Sequence, residues 1–292
     1  MGFSAYGKGY LRDTREPMGL LLLQGTTGIA VLGALGKFRG IDLYPKDGYA
    51  TPAAARRVAL AASMHTGQAL LTNFAVLLGG VAATNALKAM EPIAAAAFSY
   101  FLLGKSCSGA RLASIFVIAA GIVVFTATSS AGAKGGGKGG GGGGGSGGEK
   151  EGGFSDRAIV GISTITVVAA VCCNALRNVF IKKGDPIPPH QTLFACSVVA
   201  AVVGVSMIET FDWIRVTGFN ASLCFVGYNF ASFNLLVRLT PVGHAVGNSF
   251  KRVLVFAGGL LFLGEFMNAR QLGGAALALA GVLAYNVSGA KK

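Results

Sequence analysis

Charge is scarce in this chain. Asp, Glu, Lys and Arg make up 13% of its 292 residues, and a soluble domain carries about 25%. That deficit excludes an ordinary water-soluble globule. Acid is scarcer than base, with 12 Asp and Glu against 25 Lys and Arg. Cysteine is sparse as well. Cys107, Cys172, Cys173, Cys196 and Cys224 are odd in number, and their spacing matches no metal site. They read as small core hydrophobes, and neither a metal nor a cofactor is expected. Residues 1–16 are polar and hold no apolar stretch, so no secretory signal is visible there.

Apolar residues fill the space that charge leaves. They make up 52% of the chain, and the mean hydropathy is +0.59. The pattern predicts an all-α polytopic membrane protein with nine spans, at about 17–36, 54–79, 81–104, 108–128, 157–181, 190–209, 216–238, 241–264 and 269–287. Most are rich in Gly and Ala, which lets helices pack closely in lipid. The net charge of +13 would suggest nucleic acid in a soluble chain. Here most Lys and Arg lie between the spans, where the positive-inside rule places them. The partner expected is the lipid bilayer, not nucleic acid.

The chain reads as two repeats around a linker. Residues 129–156 contain AGAKGGGKGGGGGGGSGGEKEGGF, a Gly-rich tract too flexible to order itself. It separates residues 1–128, with four visible spans, from 157–292, with five. A shift of 160 residues sets FLLG (101–104) on LFLG (261–264), Leu112 on Leu272, and AAGIVVF (119–125) on LAGVLAY (279–285). The first half is one span short, and the missing helix would precede residue 17. A truncated N-terminus and a true nine-span chain both fit; truncation is the favoured expectation. With an odd number of spans per repeat, the repeats would be inverted and meet near the membrane midplane. Loop charge agrees. Twelve Lys and Arg fall on one set of loops and three on the other, which places the C-terminus on the cytoplasmic-type side.

Charges inside the spans point to the chemistry. Their interiors hold Lys88, Arg177, Lys251 and Arg252, against one acid, Glu91. Lys251 and Arg252 lie side by side, about 15 Å along their helix and so near mid-membrane. One buried cation costs on the order of 3 kcal/mol on insertion scales. Two adjacent ones are tolerable when they face a polar cavity or an anion. The cationic excess suits an anion. Lys serves as a point charge and Arg as a bidentate fork, as a phosphate dianion requires. Under the 160 shift Lys88 falls on Asn248, so inverted repeats would bring these stretches together. Pro92 and the pair Gly247-Asn248 weaken regular helix locally. Glu91 follows Lys88 by three residues on one face, either to hold it in an ion pair or to couple protons. Arg177 either snorkels to the interface or faces the site. Thr72 and Asn73 either bind substrate or join helices, Tyr228 either donates to an anion or packs, and His65 and His244 read mainly as helix–helix hydrogen-bonding groups. An intramembrane phosphotransferase would need a nucleophile and a base converging on phosphate; a single span acid does not supply them, so no enzyme and no catalytic residue is expected.

At these residues the chain resembles a known family. KAMEP (88–92), ALRNVFIKK (175–183), Tyr228-Asn229 and PVGHAVGNSFKRV (241–253) are similar to plastid triose-phosphate/phosphate translocators of the drug/metabolite transporter superfamily. The resemblance implies the drug/metabolite-transporter fold, with inverted five-helix repeats and here the first helix missing. It further implies antiport of inorganic phosphate against a phosphorylated small molecule (triose phosphate, 3-phosphoglycerate, phosphoenolpyruvate or sugar phosphate) across the plastid inner envelope. Nucleotide-sugar transport in the Golgi or endoplasmic reticulum is the alternative within the superfamily, and a non-transporting remnant a remote one. Carried over by motif, Lys88, Lys251 and Arg252 would bind phosphate, and Thr72, Tyr228 and Arg177 would contact phosphate or the carbon moiety. The chain departs from many triose-phosphate members at Ala69, where they have His three residues before the Thr. Its long Gly linker is also unlike the short loop expected.

Overall fold

A computed structural model describes residues 10–11, 14–44, 51–105, 107–132, 156–184, 187–206, 216–248, 251 and 269–290. These residues are helical wherever they are regular, and none forms a strand. Helix α1 runs over Pro17–Arg39, α2 over Pro52–Leu87, α3 over Glu91–Leu103, α4 over Gly109–Gly132 and α5 over Asp156–Lys182. Then come α6 at Pro189–Ser206, α7 at Val216–Arg238, α8 over 241–248, and α9 at Ala269–Ala290. The Gly-rich tract at 133–155 lies outside the described residues.

The helix ends follow from local sequence. Pro17 opens α1, where its missing N–H costs nothing. Gly40 closes α1 at φ 62°, a left-handed conformation that Gly adopts without strain, and Lys37 and Arg39 sit in the last turn against the carbonyl end of the dipole. Thr51 caps α2 by accepting from the Ala54 N–H at 3.1 Å, and Thr240 caps α8 by accepting from Gly243 at 3.0 Å. Within the described residues, Pro17–Arg39, Gly161–Lys182 and Pro189–Ser206 are each long and apolar enough to cross a membrane alone. The bundle is apolar both on its outside and through most of its core, and it buries a set of polar side chains. Val202, Val205, Leu272 and Leu283 are exposed, whereas Gln24, His65, Asn73, Arg177 and His244 are buried. A lipid-facing protein has this arrangement.

At the expected boundary between the second and third spans, 79–81, helical hydrogen bonding is not interrupted; it continues to Leu87, tightens into a 3₁₀ turn at Lys88–Met90, and resumes at Glu91 with Pro92 in the first turn. This stretch is not straight. Lys88 Nζ lies 2.7 Å from Thr72 Oγ1, and sixteen residues of straight helix would set their backbones about 24 Å apart. The chain therefore folds back between them. The spans read from the sequence, 54–79 and 81–104, put a boundary at residue 80, inside the stretch where the chain folds back.

The pairing of helices makes the inverted repeat visible. A Cβ on Gly121 of α4 would meet Ala278 and Gly274 of α9, and a Cβ on Gly281 of α9 would meet Ile118 and Ser114 of α4. The 160-residue shift carries each contact onto the other. Gly121 lies level with 274–278 and Gly281 level with 114–118, so the two helices run antiparallel. Two equivalent antiparallel helices are related by a twofold axis across them, which lies in the membrane plane. Helices α1 and α6 cross in the same way, Gly25 on Ala201 and Gly204 on Leu22. Helices α2 and α5 are antiparallel as well, from Arg57 beside Lys183 to Ala75 beside Val167.

The basic loops gather at one end of the bundle. Arg57 donates to the Lys183 carbonyl. Lys182 Nζ donates to Val237 O at 2.5 Å, and Gln191 to Asp42 O at 3.2 Å. All five cysteines are unpaired.

Candidate functional site

Two polar networks fill the space between the halves. The first begins on α2. Thr72 Oγ1 donates back to Gln68 O at 2.7 Å and accepts from Lys88 Nζ at 2.7 Å. The 3₁₀ turn carries the chain from Lys88 to Glu91, which is 4% exposed. Glu91 Oε1 accepts from Asn174 Nδ2 of α5 at 2.5 Å and from Asn248 Nδ2 of α8 at 2.8 Å. Asn248 Oδ1 in turn accepts from the Tyr228 hydroxyl of α7 at 2.8 Å. Lys251 Nζ stands 3.6 Å from the centre of the Tyr228 ring, a cation–π contact. Thr72 and Lys88 from the first half thus join Tyr228 and Lys251 from the second, through Glu91 and Asn248. The stretch around Lys88 does meet the stretch around Asn248, as the repeat requires.

The second network lies one helical turn along α5. Arg177 is 4% exposed and turned inward. Its guanidinium donates to Asn178 Oδ1 from Nε at 3.1 Å and from a terminal nitrogen at 2.8 Å. The other terminal nitrogen is 2.9 Å from His65 Nδ1, and the guanidinium lies over Phe233 at 5.1 Å. Asn178 Nδ2 reaches His244 Nδ1 at 3.3 Å, and His244 Nε2 lies 2.8 Å from Ser232 Oγ. His65 and His244 therefore join helices by hydrogen bonds, as the sequence suggested, and Arg177 does not snorkel. Asn73 donates to Pro17 O at 3.4 Å, a helix-joining contact.

Four expected site residues, Thr72, Lys88, Tyr228 and Lys251, thus form one cluster. Arg177 sits beside it in a network of its own, reached through Asn174 on the preceding turn. Arg252 lies outside the described residues. Sequence reasoning set Glu91 against Lys88 alone. It missed that two amides, Asn174 and Asn248, bind the same carboxylate oxygen. A polar residue inside an apolar helix was the available signal for Asn174, but nothing in the sequence pairs it with a residue 83 positions away. The His/Cys/Asp/Glu side chains among the described residues form no cluster able to hold a metal ion.

The model of the Triose-phosphate Transporter family matches residues 1–131 and 186–286. The triose phosphate/phosphate translocator of non-green plastids from Brassica oleracea var. botrytis is 26% identical over 97% of this chain and 68% of its own length. Phosphoenolpyruvate/phosphate translocator 1 of Arabidopsis thaliana is also 26% identical, over 97% of this chain and 67% of its own. Phosphoenolpyruvate/phosphate translocator 2 of the same plant is 27% identical, over 97% and 72%. A crystal structure with 18% sequence identity overlays 98% of this chain and 95% of its own at a TM-score of 0.70. At that identity the likeness speaks for the fold alone.

Proposed function

The chain belongs to the Triose-phosphate Transporter family, and from that premise we propose that it exchanges inorganic phosphate for a phosphorylated small metabolite across a plastid membrane. One observation carries the reading. Residues of both inverted halves converge on the bridge from Tyr228 through Asn248 to Glu91, and a lysine stands at each end of it. Lys88 brings the Thr72 hydroxyl with it, and Lys251 brings the face of Tyr228. Arg252, next in sequence, adds the bidentate fork that a phosphate dianion favours. The phosphate translocator names of the relatives support the same substrate class, and the naming of two of them as chloroplastic supports the compartment.

Antiport follows from electrostatics. A site that gathers cations in low dielectric is costly to carry across empty, because no anion offsets the buried charge. The loaded site crosses and the empty site stays, so phosphate moves inward when a phosphate ester moves outward. Alternating access rocks one half against the other about the midplane axis. The bridge between Glu91 and Asn248 joins the halves where that motion would hinge.

The test uses purified chain in liposomes with phosphate outside and triose phosphate or phosphoenolpyruvate inside. Lys251→Ala and Arg252→Ala should each lower exchange about 10- to 100-fold, the scale of one lost charge-assisted hydrogen bond. Exchange that persists in both variants would remove phosphate from this site. Inhibition of phosphate uptake by nucleotide sugars, but not by triose phosphate, would reassign the substrate class.

A further inference from the structure

Arg177 is a buried cation in neutral company. Among the described residues its guanidinium is held by the Asn178 amide oxygen, by His65 Nδ1 and by the face of Phe233. A guanidinium only donates, so His65 Nδ1 accepts and carries no proton. None of the three partners is negative. Buried charges are normally paired, so a cation held this way asks for an anion from outside the chain.

Asn178 sets the direction of that cation. Nε at 3.1 Å and a terminal nitrogen at 2.8 Å both donate to Asn178 Oδ1. The oxygen being fixed there, Nδ2 is the atom that meets His244 Nδ1 at 3.3 Å. Nδ2 can only donate, so His244 Nδ1 accepts and the ring proton sits on Nε2. Nε2 then donates to Ser232 Oγ at 2.8 Å. Asn178, His244 and Ser232 are all buried. They come from α5, α8 and α7, so three helices brace one guanidinium. Of the five N–H groups of an arginine, these bonds and the one to His65 engage three. One N–H on each terminal nitrogen is left. Asn174, which bonds Glu91 of the first network, lies three residues before Arg177, about 4.5 Å along α5.

We infer that Asn178, braced by His244 and Ser232, is a positioning residue that presents Arg177 to the transported anion with its charge uncancelled. This rests on the phosphate-exchange reading and adds to it. A carboxylate in place of the amide would accept the same two hydrogen bonds, but it would cancel the guanidinium charge. The amide orients the cation and leaves its charge to the substrate.

The experiment makes two measurements on the full chain. One is the half-saturation concentration for phosphoenolpyruvate in exchange against internal phosphate in liposomes. The other is the thermal midpoint of the ligand-free protein in detergent. Asn178→Asp keeps the size and the acceptor geometry. His244 accommodates it by moving its proton to Nδ1, because the Ser232 hydroxyl can donate as well as accept. Half-saturation should rise about 10- to 100-fold, the scale of one charge-assisted hydrogen bond. The midpoint should stay level or rise, because a buried cation gains a counter-charge. A residue that served packing alone would worsen both together. Ser232→Ala removes the far brace without touching Arg177. It should raise half-saturation about threefold, the low end for a neutral hydrogen bond, and Ser232→Thr, which restores the hydroxyl, should return it to the parent value. Three results would overturn the positioning role. These are an Asn178→Asp half-saturation at the parent value, a rise accompanied by a lowered midpoint, or a Ser232→Ala chain indistinguishable from the parent. Absence of phosphate exchange in the unmodified chain would instead overturn the exchange reading itself, and the positioning role with it.

Discussion

Replacing Gly121 by Ala tests the crossing on which the repeat symmetry rests. The added Cβ would lie 2.8 Å from Ala278 Cα and 2.8 Å from Gly274 O. Carbon contacts settle near 3.5–4.0 Å, so α4 and α9 must separate by about 1 Å. The obstacle is backbone, which has no rotamer to yield. Overpacking of this kind costs about 1–3 kcal/mol. Gly281→Ala meets the mirror obstacle, 2.9 Å from Ile118 N, and should cost a similar amount. The double variant should cost less than the two together, because one separation relieves both. Gly273 of α9 is the control, with nothing within 4 Å of its Cβ. Its replacement by Ala improves helix propensity by up to about 1 kcal/mol. Thermal unfolding in detergent reads the difference at about 2–4 °C per kcal/mol. Gly121→Ala should melt several degrees below the parent, and Gly273→Ala at or above it. Equal midpoints for the two variants would refute the close antiparallel crossing.

Three further outcomes follow from the same geometry. Thr72→Val removes the hydroxyl that holds Lys88 at 2.7 Å; it should raise the phosphate half-saturation about tenfold, read by uptake against concentration. Asn248→Leu cuts both the Tyr228 and the Glu91 hydrogen bonds. It leaves a buried carboxylate with one donor fewer, and should lower thermal stability by about 1–3 kcal/mol as well as slow exchange. Single cysteines at Lys37, Lys105, Lys183 and Arg238, in a cysteine-free background, should all react with a membrane-impermeant maleimide from the same face of sealed vesicles. Labelling from opposite faces would refute the alternating path of the helices.

What the sequence shows well is what repeats or what costs energy in lipid. The 160-residue shift was legible because the last spans of each half keep Gly121 and Gly281 where backbones cross. Lys88 and Lys251 stood out because a cation inside an apolar run demands a reason. The turn after Thr72 falls where the hydropathy pattern divided the spans, at residue 80, within the Gly79-Gly80 pair. The partners of Glu91 were hidden. Asn174 and Asn248 sit 83 and 157 residues away from it, and no local pattern reports such pairs.

The most direct test of the proposed exchange is uptake of radiolabelled phosphate into liposomes that carry the purified chain. One set is preloaded with phosphate or a phosphate ester, and the other is left empty. Rapid uptake into the preloaded set, with little into the empty one, is the expected result. Equal uptake into both sets would contradict obligatory exchange. Uptake into neither, from chain that is folded and inserted, would contradict a phosphate site at Lys88 and Lys251.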